Sequence, residues 1–346
     1  MSVTTYIRAG YVNDRHLPLM TEHDLQQLTH LNLAFGHVNN DEIIISHLQH
    51  IDVLRRIKAD YPQLQIILSI GGWSAGGFSE AASTAEGRAS MASSALRALK
   101  ELPLDGIDLD WEYPSYGVAG IASSTADKQN FTLLLRELRE ALDRKGAAEG
   151  RRYLLTIAAG ADQYYLDGTE IDQVHPLLDF IQLMTYDMRG GFQVLTGHHT
   201  NLYTPPGDLF RISADASVRL FTGAGVPHAK IVLGAAFYSR LWTGVPDINN
   251  GLHQMASSTG GYGPNYTDLA EKYIDVQGFR RYWDEEAQAP YLFNGDTFVS
   301  YEDEQSIEAK CAYIREQGIG GLMFWEYGLD RTGRLIAAMS RGLGHS

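Results

Sequence analysis

Asp105-Gly106-Ile107-Asp108-Leu109-Asp110-Trp111-Glu112 decides the reading of this chain, because the alternation of a strand coincides there with an acid at every second position. Side chains along a strand point to opposite faces in turn, so Asp108, Asp110 and Glu112 share one face and Ile107, Leu109 and Trp111 the other. At about 3.3 Å of rise per residue, neighbouring carboxylates stand roughly 6.5–7 Å apart. A solvated strand end would not carry so apolar an opposite face, so the segment reads as a buried strand with an acidic inner row. Carboxylates that repel one another and lose hydration raise their pKa values, and at least one should hold a proton near neutral pH. A general acid needs such a retained proton. Glu112 comes last in the row, at the C-terminal end where parallel α/β sheets carry their chemistry, and is the first candidate for that acid. Asp105 has the opposite parity and reads as fixing the strand's entry.

With 346 residues the chain can bury a large core, as two ordinary domains or one of the larger α/β barrels. Asp and Glu outnumber Lys and Arg by 42 to 28, a formal charge of −14. That balance argues against nucleic acid or an anionic membrane as the main partner. The single cysteine, Cys311, excludes an internal disulfide and a cysteine-based metal site. No signal-peptide pattern opens the sequence. No apolar run approaches the roughly 18–20 residues of a membrane span. Nothing in the sequence calls for an oligomer, and a monomer is expected.

Eight candidate strands alternate with amphipathic segments: Tyr6–Val12, His30–His37, Gln65–Gly71, Gly106–Glu112, Tyr153–Ala159, Asp179–Tyr186, Lys230–Phe237 and Ile319–Trp325. Helix periodicity marks His50–Tyr61, Ala85–Leu99, Lys128–Lys145, Leu209–Ala224 and Glu304–Gln317. The pattern predicts an α/β fold, a (β/α)8 TIM barrel formed by residues 1–240 and 299–346. The interval between the seventh strand and the last of these helices far exceeds a connection of roughly 2–6 residues. Residues 241–298, rich in Tyr, Trp and Gly, are therefore expected to form a small α+β insertion domain beside the barrel mouth.

A barrel brings its strand ends to one mouth, so their side chains can be read as a set. Ser69, Gly71, Gly72 and Trp73 end the third strand, and the glycines allow close backbone approach. Gln182, Met184 and Tyr186 share a face of the sixth, with Asp187 just beyond. Tyr11 comes from the first strand, Phe35 from the second, Tyr238 and Arg240 from the end of the seventh, and Trp325 from the eighth. Tyr113 adjoins the acid. Carboxylates beside aromatic plates and hydroxyl donors suit a carbohydrate, whose rings have apolar C–H faces and polar edges.

Together, Asp105-x-x-Asp108-x-Asp110-x-Glu112, Ser69-x-Gly71-Gly72, Met184-Thr-Tyr186-Asp187 and the Trp325 strand resemble family 18 glycoside hydrolases, the chitinases. The likeness extends to Asp127-Lys-Gln-Asn-Phe131 and Gly197-His-His199. The insert, with Asn250-Gly251 and Gly278-Phe-Arg-Arg-Tyr-Trp283, resembles the chitinase insertion domain of bacterial A-type enzymes. This resemblance implies cleavage of chitin or chitooligosaccharides by a retaining, substrate-assisted reaction without cofactor or metal. It makes Glu112 the acid and base, Asp110 the group that orients the substrate's acetamide, Asp108 its support and Tyr186 the donor to the acetamide oxygen. Trp325 would floor the cleavage subsite, while Asp187, Met184, Gln182, Tyr11, Phe35, Trp73, Ser69, Tyr238, Arg240 and Tyr113 would bind sugar. The family is mostly secreted, which implies an extracellular protein. Two departures stand out. Ser74-Ala75-Gly76-Gly77-Phe78 replaces a common second tryptophan, and Ser239 replaces a common glycine with little expected consequence. Three other functions are weighed. A non-catalytic lectin would usually lack Glu112, a divalent-metal site would want ligands from several segments, and an N-glycan endoglycosidase would lack the insert.

Overall fold

The computed structural model describes residues 5–344, so residues 1–4 and 345–346 of the expected barrel segments lie outside the described residues. Strand and helix alternate from the start. The strands are β1 (Ile7–Asn13), β2 (His30–Asn39) with its short antiparallel partner β3 (Glu42–Ile44), β4 (Gln65–Gly71), β5 (Gly106–Asp110), β6 (Leu154–Gly160), β7 (Phe180–Met184) and β8 (Ile231–Ala236). They continue as β9 (Tyr238–Trp242), β10 (Gly261–Asn265), β11 (Arg280–Asp284), β12 (Ala289–Phe293), β13 (Phe298–Ser300) and β14 (Gly321–Trp325). Strands β1, β2, β4, β5, β6, β7, β8 and β14 pair in parallel, and β1 joins both β14 and β2, which closes the expected (β/α)8 barrel.

Alternation sorts each strand's residues between two cores. Leu31, Leu33, Ile66, Leu68, Ile107, Leu109, Leu155 and Ile157 point outward to the helices. Ala9, Tyr11, Ala34, Ile67, Phe180, Val232 and Met323 fill the barrel. The covering helices end where local chemistry says they should. Helix Asp127–Glu149 buries Phe131, Leu134, Leu135, Leu138 and Leu142 at three- and four-residue spacing and stops at Gly150, whose φ is 69°. Helix Glu304–Gln317 opens with a reciprocal Asp303–Ser306 capping box and closes at Gly318 with φ 67°. One expected helix is shorter than its apolar pattern: it begins at Ala214, not Leu209, because Ser213 takes the cap, its hydroxyl accepting from the Ala216 N–H. Leu209 is 79% exposed.

Between β8 and β14 lies a second, five-stranded antiparallel sheet in the order β10-β9-β13-β12-β11. Short helical turns at Tyr266–Asp268 and Leu269–Tyr273 accompany it. Trp242, Val245, Leu252, Tyr291, Phe293 and Phe298 form a core of its own. Only Phe237 separates β8 from β9, so this sheet starts almost where the barrel strand ends.

Candidate active site

Asp108 is fully buried inside the barrel, and strands from around the ring supply its donors. Its Oδ2 accepts from Tyr11 Oη at 2.9 Å and Ser69 Oγ at 2.8 Å; its Oδ1 accepts from Thr156 Oγ1 at 2.6 Å and Gln182 Nε2 at 3.2 Å. Parallel register makes this possible, since Ser69 on β4 and Thr156 on β6 are the direct neighbours of Asp108. Gln182 also donates to Tyr11 Oη, and its carbonyl accepts from Asn32 Nδ2 at 2.7 Å. The network thus pins β1, β2, β4, β5, β6 and β7 together under the mouth. Burial raises the Asp108 pKa, against the four donors that favour its charge.

Asp110, two residues on, is also buried, yet its Oδ1 has no hydrogen-bond partner among the described residues. Burial pushes its pKa well above the ordinary value, and the charges of Glu112 and Asp108 push it further. Pairing in β5 stops at Asp110, so Glu112 stands just past the strand's end and not on it as the sequence suggested. Gly71 (φ 116°) brings β4 so close that a Cβ there would lie 2.1 Å from the Asp110 carbonyl oxygen, which instead accepts from the Gly72 N–H at 2.9 Å. Glu112 is partly exposed to the mouth and its pKa is pushed up to about 7, mainly by burial, with the charge of Asp187 adding and a hydrogen bond from Tyr113 opposing. Sequence reasoning gave crowding of the acidic row equal weight with lost hydration; in the structure burial is the larger cause for all three acids. A carboxyl with this pKa keeps a usable proton at neutral pH.

On the other side of Glu112, Arg240 grips Asp187 with two bonds, Nε to Oδ1 at 2.7 Å and Nη2 to Oδ2 at 2.6 Å. His199 Nδ1 lies 3.6 Å from the same carboxylate. Burial works against the Asp187 charge, but His199 and Arg240 outweigh it and hold this acid down at about 2. One residue earlier, His198 turns the opposite way and meets Asp284 on β11 at 2.9 Å. The adjacent histidines therefore tie one loop to the mouth and to the second sheet at once.

Aromatic rings complete the mouth. Trp325 stacks on Phe35, with centroids 5.4 Å apart and planes at 21°, and lies 5.7 Å from Tyr11. Met184 and Tyr186 pack onto the same cluster. Tyr186 meets Tyr238 edge-on at 6.2 Å, and Tyr113 meets Tyr165 at 6.1 Å. Burial, then the charges of Asp110 and Glu112, keep the Tyr186 phenol protonated and able to donate. Trp73 stands 54% exposed beside the glycine turn. The peptide bonds Ala34–Phe35, Glu112–Tyr113 and Trp325–Glu326 are cis. A family model described as glycosyl hydrolases family 18 matches residues 4–330.

The chain belongs to that family.

Family 18 relatives agree in sequence and in structure. Chitinase A1 of Niallia circulans is 40% identical over 302 residues, which is 82% of this chain but only 43% of that protein, so the chain spans less than half of it. Chitotriosidase-1 of Mus musculus is 34% identical over 316 residues, covering 87% of this chain and 67% of its own. A solved family 18 N-acetylglucosaminidase from Paenibacillus barengoltzii superposes with a TM-score of 0.96 at 65% identity, covering 97% of this chain and 99% of that one.

The fifteen residues singled out from the sequence include the Asp108 hub, the pair beyond it and the aromatic mouth. Sequence reasoning missed Thr156, Asn32 and the place of His199 beside Asp187. Thr156 and Asn32 were findable, as polar residues of inward parity within apolar strands. His199 was not, because its neighbour His198 is buried too and only the fold separates their directions. No helix among the described residues is long and apolar enough to cross a membrane.

Proposed function

We propose that the chain hydrolyses β-1,4 links between N-acetylglucosamine units of chitin or chitooligosaccharides, with retention at the anomeric carbon. The observation that carries this reading is Asp110 Oδ1: a buried carboxyl oxygen without a donor among the described residues, next to a carboxyl whose pKa is pushed up to about 7. Leaving such an acceptor unpaired costs about 1–3 kcal/mol, which a bound amide N–H would recover. An N-acetyl sugar lying on Trp325 brings that N–H.

Glu112 gives its proton to the leaving glycosidic oxygen. The substrate's acetamide oxygen attacks the anomeric carbon as the C–O bond breaks, forming an oxazolinium ion and freeing the leaving sugar. Asp110 accepts the acetamide N–H and offsets the positive charge, with the Asp108 carboxylate behind it adding to that negative field. Tyr186 donates to the acetamide oxygen. Glu112, now ionised, takes a proton from water that opens the oxazolinium ion and restores the β configuration. The segment between the seventh and eighth barrel strands raises one wall of the groove, a reading supported by the grip of Arg240 on Asp187 and of His198 on Asp284.

Proton NMR of a chitooligosaccharide digest tests the mechanism. New reducing ends should form first as the β anomer, and initial α product would refute it. The pH profile tests the acid. Glu112 is raised from 4.5 to about 7, so the donating form exists below that value and is lost above it. Accordingly kcat/KM should fall as pH rises through about 7, and a flat profile from pH 6 to 9 would count against Glu112 as the donor.

The 65% identical structure, that of an N-acetylglucosaminidase, supports a narrower reading, release of single N-acetylglucosamine units from a chain end. Early product analysis on a pentamer separates the two. Monosaccharide and tetramer as the first products support terminal release of single units, while dimer and trimer from the first minutes argue against it.

A further inference from the structure

Helix Asp127–Glu149 reaches the chain on both sides of Glu112 through the two ends of the motif Asp127-Lys-Gln-Asn-Phe131. Four residues apart, Asp127 and Phe131 share one face of that helix. Phe131 meets the Trp111 ring edge-on, with centroids 5.6 Å apart, and Phe78 stacks on the same buried ring at 5.4 Å. Trp111 immediately precedes Glu112, so this packing fixes the chain just before the acid. Asp127, fully buried, acts just after it. Its Oδ2 accepts from the Ser124 N–H at 2.7 Å and from the Ser115 N–H at a longer 3.4 Å, while its Oδ1 accepts from Ser79 Oγ at 2.7 Å. Ser79 follows Phe78, so one short helix supports both ends of the motif.

The segment after Glu112 needs that support. The Tyr116 N–H donates to the Tyr113 carbonyl at 3.2 Å, which closes a turn with Pro114 and Ser115 at its centre. Proline followed by a residue of positive φ is the pattern of a type II turn, whose second central position favours glycine or asparagine. Here that position is Ser115, at φ 70°, and a non-glycine residue stays in this region only where its surroundings hold it there. Two contacts do so: Asp127 takes its N–H, and its own Oγ donates to the Gly168 carbonyl at 3.2 Å. Gly168 lies so near the turn that a Cβ there would stand 2.7 Å from the Pro114 carbonyl oxygen. Because ladder pairing ends at Asp110, Glu112 owes its place to these flanks and not to the sheet. We infer that Asp127 is a positioning residue for Glu112, holding Ser115 in a turn that serine would not keep unaided and so aiming the carboxyl at the glycosidic oxygen, a role that rests on the reaction given under Proposed function.

Rescue by glycine tests this role. Asp127→Ala should lower kcat on chitopentaose about 10–10²-fold with KM held within about twofold, because the acid is misplaced while the groups proposed to hold sugar stay put. Asp127→Ala combined with Ser115→Gly should return kcat to within about threefold of the parent, since glycine enters positive φ without help. Equal kcat in the single and double variants, a parent-like single variant, or a loss confined to KM would each overturn the inference. Should Asp127→Ala not fold, Ser115→Val decides, because Asp127 and its helix remain while a β-branched side chain resists positive φ. The same fall in kcat then supports the positioning role, and parent-like kcat overturns it. Carbon NMR titration of the Glu112 carboxyl needs no turnover. Burial is the main cause that pushes its pKa up to about 7, so a loosened turn should let it fall toward 4.5 in Asp127→Ala and recover in the double variant. A parent protein that cleaves no chitooligosaccharide refutes the proposed function, whereas an unmoved Glu112 in Asp127→Ala refutes the positioning role.

Discussion

Replacing Glu112 with glutamine should cut chitooligosaccharide hydrolysis by about 10²–10⁴-fold while leaving the oligosaccharide bound. The amide keeps the volume of the side chain and its place just past β5, but it has no proton to give to a glycosidic oxygen. Binding should survive because the groups proposed to hold the sugar, Trp325, Asp110 and Tyr186, lie on β14, on β5 and just beyond β7 and do not depend on that proton. The variant should also fold normally, since Glu112 is partly exposed and contributes no ladder bond. Single-turnover hydrolysis measured beside calorimetric binding checks both halves. Parent-like turnover would remove Glu112 from the reaction, and lost binding with an intact fold would show that the carboxyl serves to hold sugar.

The second large effect is on stability. Lys310 and Glu302 are ion-paired with both side chains fully buried. Thr200 Oγ1 lies 2.7 Å from Glu302 Oε1 and 2.8 Å from Lys310 Nζ, and Ser306 Oγ donates to Glu302 Oε2 at 2.5 Å. Removing one charge leaves the other stranded in a dry interior, and Lys310→Met should cost about 3–5 kcal/mol. Lys310→Met combined with Glu302→Leu should recover much of that loss, because the desolvation of both ions disappears with them. Denaturant unfolding of the three proteins measures this. If the single and double variants lost the same stability, the damage would lie in packing and not in an unpaired charge. Thr200 is also within reach of the Thr185 carbonyl, at 3.2 Å, two residues before Asp187. The single variant should therefore loosen the mouth as well as the fold.

Much of the architecture could be read locally. β4 and helix Glu304–Gln317 have the limits their patterns predicted, because glycine ends both and a capping box opens the helix. The acidic row declared itself through parity alone. Long-range pairing was less legible. Asp187 and Arg240 were each picked out, but nothing near either one announces that they grip each other across 53 positions. Gln182 was picked out and Asn32 was not; 150 positions apart, they meet only because the sheet closes. The helix expected from Leu209 failed for a different reason: apolar spacing there had no surface to cover, and the cap at Ser213 prevailed.

The strand that opens the second sheet has a practical consequence for building chimaeras. Tyr238 and Arg240 lie on it, yet they serve the barrel mouth through Tyr186 and Asp187. A donor segment spliced in after Arg240 would inherit that arginine together with its two bonds to Asp187. One spliced in at Phe237 must bring its own cation, or Asp187 loses the guanidinium that holds both of its oxygens and the recipient's own groove is rewired from outside.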